Sequence, residues 1–321
     1  MRRRELIALL ICSTVAWPRS ANPQPSTKLH RIGIIDNSPI WDAFREGLRE
    51  HGYREGQNIA FEYRYAGGLP DRLVWVAAEL VRAPVDLIAT FGTPPALAAK
   101  QATATIPIVM IGIGDPVGAG LVSNLARPGG NITGNTVLGP DLASKRLQLL
   151  KEAIPSLSRV GFLWNPDNAS HPAQLTDLKA VAEVMGLKII LASARSSDEL
   201  TDALTAMTRD HPEAFLMTND PLHLLSIPTI VAFLASNRLP GMFPTREIVT
   251  AGGLLSYGAS MPDLFRRAAA YADKILLGTS PATLPVEQPA KFELVIDFRT
   301  ARELGITFPP SLLARVDEVI E

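Results

Sequence analysis

From Arg31 onward short apolar runs alternate with longer amphipathic stretches, and the two periods predict different elements. Ile32 to Ile35 reads as a strand, after which Trp41, Phe44 and Leu48 recur at helical spacing until His51-Gly52 stops them. Ile59 to Tyr65 alternates as a second strand, 72–82 is a helix, Val85 to Phe91 is a third strand, and Gly92-Thr93-Pro94-Pro95 opens a helix over 96–103. Ile106 to Ile113 is a fourth strand. It stops at Gly114-Asp115-Pro116, where Asp115 as N-cap and Pro116 at the first position predict a helix near 119–125. A short strand over 131–138 follows. Repeated β-α-β at this spacing means a parallel sheet covered on both faces.

The alternation then restarts. A helix over 142–153 leads to the strand Val160 to Trp164, a turn at Asn165-Pro166-Asp167 and a helix over 173–185. Strands over 187–192, 214–217 and 241–244 are separated by helices over 198–209 and 222–237. Gly252 to Gly258 is a strand bounded by glycines, 262–277 a long helix, and the tail adds a strand over 292–297 and a helix over 300–305. The fold class is α/β: two doubly wound parallel-sheet lobes of similar size with a hinged cleft between them. The tail is expected to cross back, and such a hinge is the usual device for closing on a small ligand.

Length and composition agree with two lobes: 321 residues with 47% hydrophobic content can bury large cores. A net charge of −1, with Lys and Arg spread along the chain, gives no basic footprint for nucleic acid. Residues 1–27 differ in kind. Arg2-Arg3-Arg4 is a positive n-region and Leu6 to Trp17 an apolar h-region of signal-peptide length, too short for a comfortable membrane span. The pattern fits a twin-arginine signal or a three-arginine Sec signal, with an uncleaved anchor as the alternative. Cys12, the only cysteine, lies inside this segment, so the mature chain would hold no disulfide or thiolate metal site. Lipidation at Cys12 is the weaker reading, because Ile11 stands where such a signal wants a small residue. Export to the periplasm is the expectation.

Catalytic and cofactor signatures are missing. Gly112-x-Gly114 is followed by Val117 where a dinucleotide fingerprint needs glycine, no phosphate-loop Gly-Lys-Ser/Thr occurs, and the five histidines show no zinc spacing. No cofactor and no metal are expected. What stands out is a set of polar residues directly after the predicted strands: Ser38, Thr93, Asp115, Thr136, Asn165, Asp220 and Tyr257. In open α/β sheets ligands sit beyond the carboxyl ends of strands, so all seven are ligand-binding candidates. Thr93 and Thr136 with helix N-terminal amides would receive a carboxylate, and Asp115 or Asp220 would pair with an ammonium. Asp115-Pro116, Asn165-Pro166 and Asp220-Pro221 also have the plain form of a helix cap followed by proline. An enzyme using Asp115 and Asp220 as acid and base is the alternative function.

Several motifs together resemble a known family. Gly92-Thr93-Pro94, the run Gly114-Asp115-Pro116-Val117-Gly118-Ala119-Gly120-Leu121-Val122, the run 125–134, Trp164-Asn165-Pro166, Leu255-Ser256-Tyr257-Gly258 and the tail from Leu284 to Arg315 resemble ABC-transporter substrate-binding proteins related to the tryptophan/tyrosine-type binders. The resemblance implies a type I periplasmic-binding-protein fold with three crossovers. It divides the chain into a first lobe of 29–141 plus 259–285 and a second of 142–258 plus 286–321. It also implies a monomer that binds a small organic solute without turnover, an amino acid and in particular an aromatic one, and delivers it to an inner-membrane ABC permease. Two positions depart from the family pattern: Ser38-Pro39 stands where aromatic binders carry His-Pro, and Asp220-Pro221 where they carry Asp-Asn.

Overall fold

The computed structural model describes residues 28–36, 39–67 and 69–321. Residues 1–27, expected to hold the signal peptide, and Ser38 lie outside the described residues. In the first half, β1 (His30–Ile35), α1 (Asp42–Glu50), β2 (Ile59–Arg64), α2 (Pro70–Arg82), β3 (Leu87–Phe91), α3 (Thr93–Ala102), β4 (Ile108–Ile113) and β5 (Ile132–Thr136) build a five-stranded sheet in the order β2-β1-β3-β4-β5. Every pairing in it is parallel. β3 and β4 are buried along their whole length, as continuous apolar strands in a doubly covered sheet must be.

The second half is longer. It runs α4 (Gly139–Ala153), β6 (Arg159–Trp164), α5 (His171–Val184), β7 (Lys188–Ser193), α6 (Ser197–Thr208), β8 (Ala214–Met217), α7 (Pro221–Leu225), α8 (Ile227–Ser236), β9 (Gly241–Phe243), α9 (Arg246–Thr250) and β10 (Leu255–Ala259). After these come α10 (Met261–Leu276), β11 (Phe292–Asp297), α11 (Phe298–Leu304), α12 (Pro310–Leu313) and β12 (Glu318–Ile320). The second sheet has seven strands in the order β12-β11-β10-β9-β8-β6-β7. Its body is parallel, but β11 runs antiparallel to β10, so the returning tail closes one edge as a mixed sheet.

Each sheet carries one apolar core on each face, and strand alternation decides which residue goes where. Ile32 and Ile34 join α1 and α10 on one side, while Ile35 joins α2 and α3 on the other. The chain therefore returns to the first lobe with α10, whose Phe265 meets Trp41 edge to face at 5.0 Å. The second sheet is covered by α4, α5 and the tail on one face and by α6, α8 and α9 on the other. The link 286–287 runs beside β5: Thr136 N–H donates to the Glu287 carbonyl at 3.0 Å and Glu287 N–H to the Gly134 carbonyl at 2.9 Å. Gly134 has φ +144°, and a Cβ there would lie 1.9 Å from the Met110 carbonyl oxygen, so only glycine fits where β5 leaves β4.

Two predicted helices are corrected. Residues 119–125 form no helix: the chain turns over 116–120 and is irregular to 125, because Gly118 and Gly120 each cost about 1 kcal/mol in a helix and Gly120 takes φ +69°. Residues 222–237 form two helices broken at Ser226, since Pro228 has no N–H to continue the first. α9, α12 and β12 are too short to leave a periodic signature and were not expected from the sequence.

Candidate ligand-binding cleft

The loops at the carboxyl ends of both sheets enclose a cavity of about 230 Å³. Ile35 and Asp36 end β1, Phe91 ends β3 and Pro94-Pro95 open α3 on one side. Asn165 follows β6, Asp220 to Leu222 follow β8, and Thr245 follows β9 on the other. Met261, the first residue of α10, contributes the floor between them.

The second-lobe wall is built on a buried polar cluster. Asp220 caps α7: its Oδ1 accepts the Leu222 N–H at 2.8 Å, and its Oδ2 accepts the Asn168 amide at 2.8 Å and the Asn165 amide at 3.4 Å. His171 Nε2 lies 3.7 Å from the same oxygen, and the Asn165 N–H meets His171 Nδ1 at 3.1 Å. His223 stacks on His171 with ring centroids 6.4 Å apart. Burial pushes His171 down to about 4, against the pull of Asp220, and lowers His223 as well, so both rings are neutral at pH 7. Burial works to raise the Asp220 carboxyl, but His223, His171, the Asn168 amide and the Leu222 N–H outweigh it and hold it below its ordinary value. With the rings neutral, the two N–H donors are the contribution that operates at pH 7.

Across the cleft mouth the lobes are fastened directly. Thr93 Oγ1 and Ser170 Oγ lie 2.8 Å apart, and the Asp115 N–H donates to the same Ser170 oxygen at 3.0 Å. Ser170 is buried, so Ser170→Ala would leave a hydroxyl and an N–H without partners in this arrangement. Each orphan costs about 1–3 kcal/mol, and water satisfies both if the lobes part. Ligand affinity of S170A measured by calorimetry is expected to fall about 10-fold, with the melting temperature of the unliganded protein nearly unchanged.

Of the seven residues expected from the sequence, the cavity wall contains Asn165 and Asp220. Thr93 is spent on Ser170. Asp115 Oδ1 accepts the Gly118 N–H at 2.8 Å, which is the capping role. Thr136 Oγ1 donates to the Ile113 carbonyl at 2.6 Å and accepts the Leu138 N–H at 3.1 Å, turning the chain out of β5. The Tyr257 ring lies against Phe292 at 5.9 Å, and its carbonyl accepts Arg146 Nε–H at 2.6 Å. The acid and base of the enzyme alternative, Asp115 and Asp220, are thus not brought to one wall. Arg195, Thr245 and Glu247 line the cavity and were not singled out from the sequence. Thr245 and Glu247 follow the short strand β9, and the same strand-end rule applied there would have found them.

The model of the family "ABC transporter substrate binding protein" matches residues 37–320. The chain belongs to this family. Membership makes it the solute-binding component of an ABC transporter, one of a group of binding proteins that work with a permease and act as a rule outside the cytoplasm. A protein named tyrosine-binding protein from Clostridioides difficile (strain R20291) is 29% identical over 288 residues, 88% of this chain and 82% of that one. A Streptococcus pneumonia ABC domain solved in complex with L-Trp is 29% identical, with a TM-score of 0.84 over 91% of this chain and 100% of that one. A substrate-binding protein from Clostridium difficile in its ligand-free, open form is 26% identical and covers 91% of this chain and 99% of that one, yet its TM-score is 0.61. At nearly equal identity the ligand-bound relative superposes far better. The Thr93–Ser170 fastening gives the reason: this substrate-binding protein has its lobes closed.

Proposed function

We propose that this protein is exported to the periplasm, works as a monomer, and closes 29–141 plus 259–285 against 142–258 plus 286–321 around a small organic solute for delivery to an inner-membrane permease. Its solute has an apolar, aromatic-sized body, in the range of the L-Trp and tyrosine named for its relatives. The supporting observation is the cavity itself, whose wall carries Ile35, Ile40, Leu73, Phe91, Leu224 and Met261 beside the polar residues that follow the strands. Asn165 and Asp220, which line the cavity, are the sequence-derived candidates proposed to touch the solute, and turnover is not expected. Binding to the native state alone at 100 times Kd raises stability by about 2.7 kcal/mol. A thermal-shift screen of aromatic amino acids, amines and small carboxylates is expected to find a stabiliser that is recovered unchanged after incubation. A product detected by mass spectrometry, or no stabiliser anywhere in the screen, would refute the proposal.

A further inference from the structure

The cleft offers a ligand many acceptors and few donors, and the backbone contributes to that imbalance. Four carboxylates line it, those of Asp36, Asp167, Asp220 and Glu247, against one guanidinium, that of Arg195. Asp36, Asp167 and Asp220 are engaged within the protein, so the acceptor argued for below is Glu247. Arg195 shares its charge with two acids: its Nε lies 3.5 Å from Asp167 Oδ1 and its Nη1 3.8 Å from Glu199 Oε2. Arg146 is buried, and burial pushes its guanidinium down to about 9, but it braces the Tyr257 carbonyl and is not part of the cavity wall.

Helix N-termini ordinarily supply the N–H groups that bind a carboxylate in such clefts. Here Pro94 and Pro95 remove two of the first three N–H groups of α3, and Pro221 removes the first of α7. The next one, Leu222 N–H, is spent on Asp220. The hydroxyls of Thr93 and Thr136, expected from the sequence to receive a carboxylate, are bonded within the protein. One fully buried polar side chain in the wall remains unused. Thr245 is 3% exposed, and its Oγ1 has no hydrogen-bond partner among the described residues.

Building on the proposed function, we infer that the ligand is an apolar organic amine, an aromatic-sized body carrying an ammonium and no carboxylate. Closing the lobes over a carboxylate would strip its water in a field of like charge with no unpaired cation among the described residues of the wall to replace it. An ammonium meets the opposite sign, and its N–H donors match the acceptors on the wall. The apolar residues take the body, and Thr245 Oγ1 accepts from the polar end.

Isothermal titration of the full chain at neutral pH with tryptamine, tyramine, L-tryptophan, L-tyrosine and indole-3-propionate tests this. Each amine is expected to bind at least about 10-fold more tightly than its amino acid, and the propionate not at all. Glu247→Gln, checked for folding by thermal melt, is expected to shrink that amine preference by about 3-fold or more. An amino acid that binds as tightly as its amine overturns the inference and leaves the proposed function standing. An amine preference unchanged in E247Q also overturns it. If none of the five binds more tightly than about 1 mM, the inference fails, and the broader thermal-shift screen then decides the function separately.

Discussion

Gly92→Ala is expected to lower ligand affinity by on the order of 100-fold while leaving each lobe folded. Gly92 joins β3 to α3 at φ +79° and ψ 167°, a conformation essentially reserved for glycine, so alanine is strained there by about 1–3 kcal/mol. That strain is present whether the lobes are open or closed. The larger effect arises on closure. A Cβ at this position would lie 2.4 Å from Pro221 Cγ and 2.8 Å from Cδ, and Pro221 belongs to the opposite lobe. The proline ring cannot retreat, because Asp220 before it and Leu222 after it are tied together by the α7 cap. Relief comes from parting the lobes, which reduces the binding-competent fraction and the apparent affinity by the same factor. Calorimetry with the best ligand from the screen, together with small-angle scattering at saturating ligand, measures both. Gly92→Ala combined with Pro221→Ala should recover part of the loss, since the Cγ and Cδ atoms are then gone. An affinity within 3-fold of the parent for G92A alone, on the order of 0.6 kcal/mol, would contradict the closure argument.

Acidification is expected to cost about 3 kcal/mol of folding stability through His171 alone. Its folded value of about 4 lies below the ordinary 6.5 because the neutral ring is buried. Below about pH 6.5 the unfolded chain takes up a proton that the folded chain refuses, so stability falls with pH until the folded ring also titrates near 4. His223, lowered by burial beside it, acts in the same direction. Asp220 adds a second stage: its carboxyl is held below the ordinary 3.8, so the stability it contributes is lost only as pH falls below about 4. Urea unfolding at a series of pH values from 8 to 4, on the parent and on His171→Gln, separates this cluster from the surface carboxylates. The difference between the two proteins should change by about 3 kcal/mol across that window. A difference that is flat with pH would mean that His171 titrates normally and that the cluster is open to water.

The closed arrangement also explains why the site was only partly legible in the sequence. Asn165 and Asp220, the two expected residues that line the cavity, were reached because strand ends in a doubly wound sheet point at the crevice between the lobes. The same rule selected Thr93, Asp115 and Thr136, which the fold uses elsewhere: Thr93 in fastening the lobes, Asp115 in capping a turn, Thr136 in turning the chain. A hydroxyl or carboxylate at a strand end serves a ligand or the backbone equally well in sequence, and the choice depends on which neighbour arrives within about 3 Å. Thr245 shows the converse. It directly follows the strand expected over 241–244 and was not singled out, yet its buried hydroxyl is without a partner among the described residues.

By itself the sequence determined the α/β class, the two lobes and the family, because alternating apolar runs, helix stops and a series of Gly-Pro motifs are local properties of the chain. It also carried the prolines at 94, 95 and 221, although their meaning was hidden. The tertiary structure alone decided that those prolines line the cavity, that β11 returns antiparallel, that Ser170 meets Thr93 and that His171 and His223 share a buried carboxylate. Each of these joins residues far apart in the chain or separated by a turn. The free energy of a polar group depends on what replaces its water, and only the packed lobes specify that replacement.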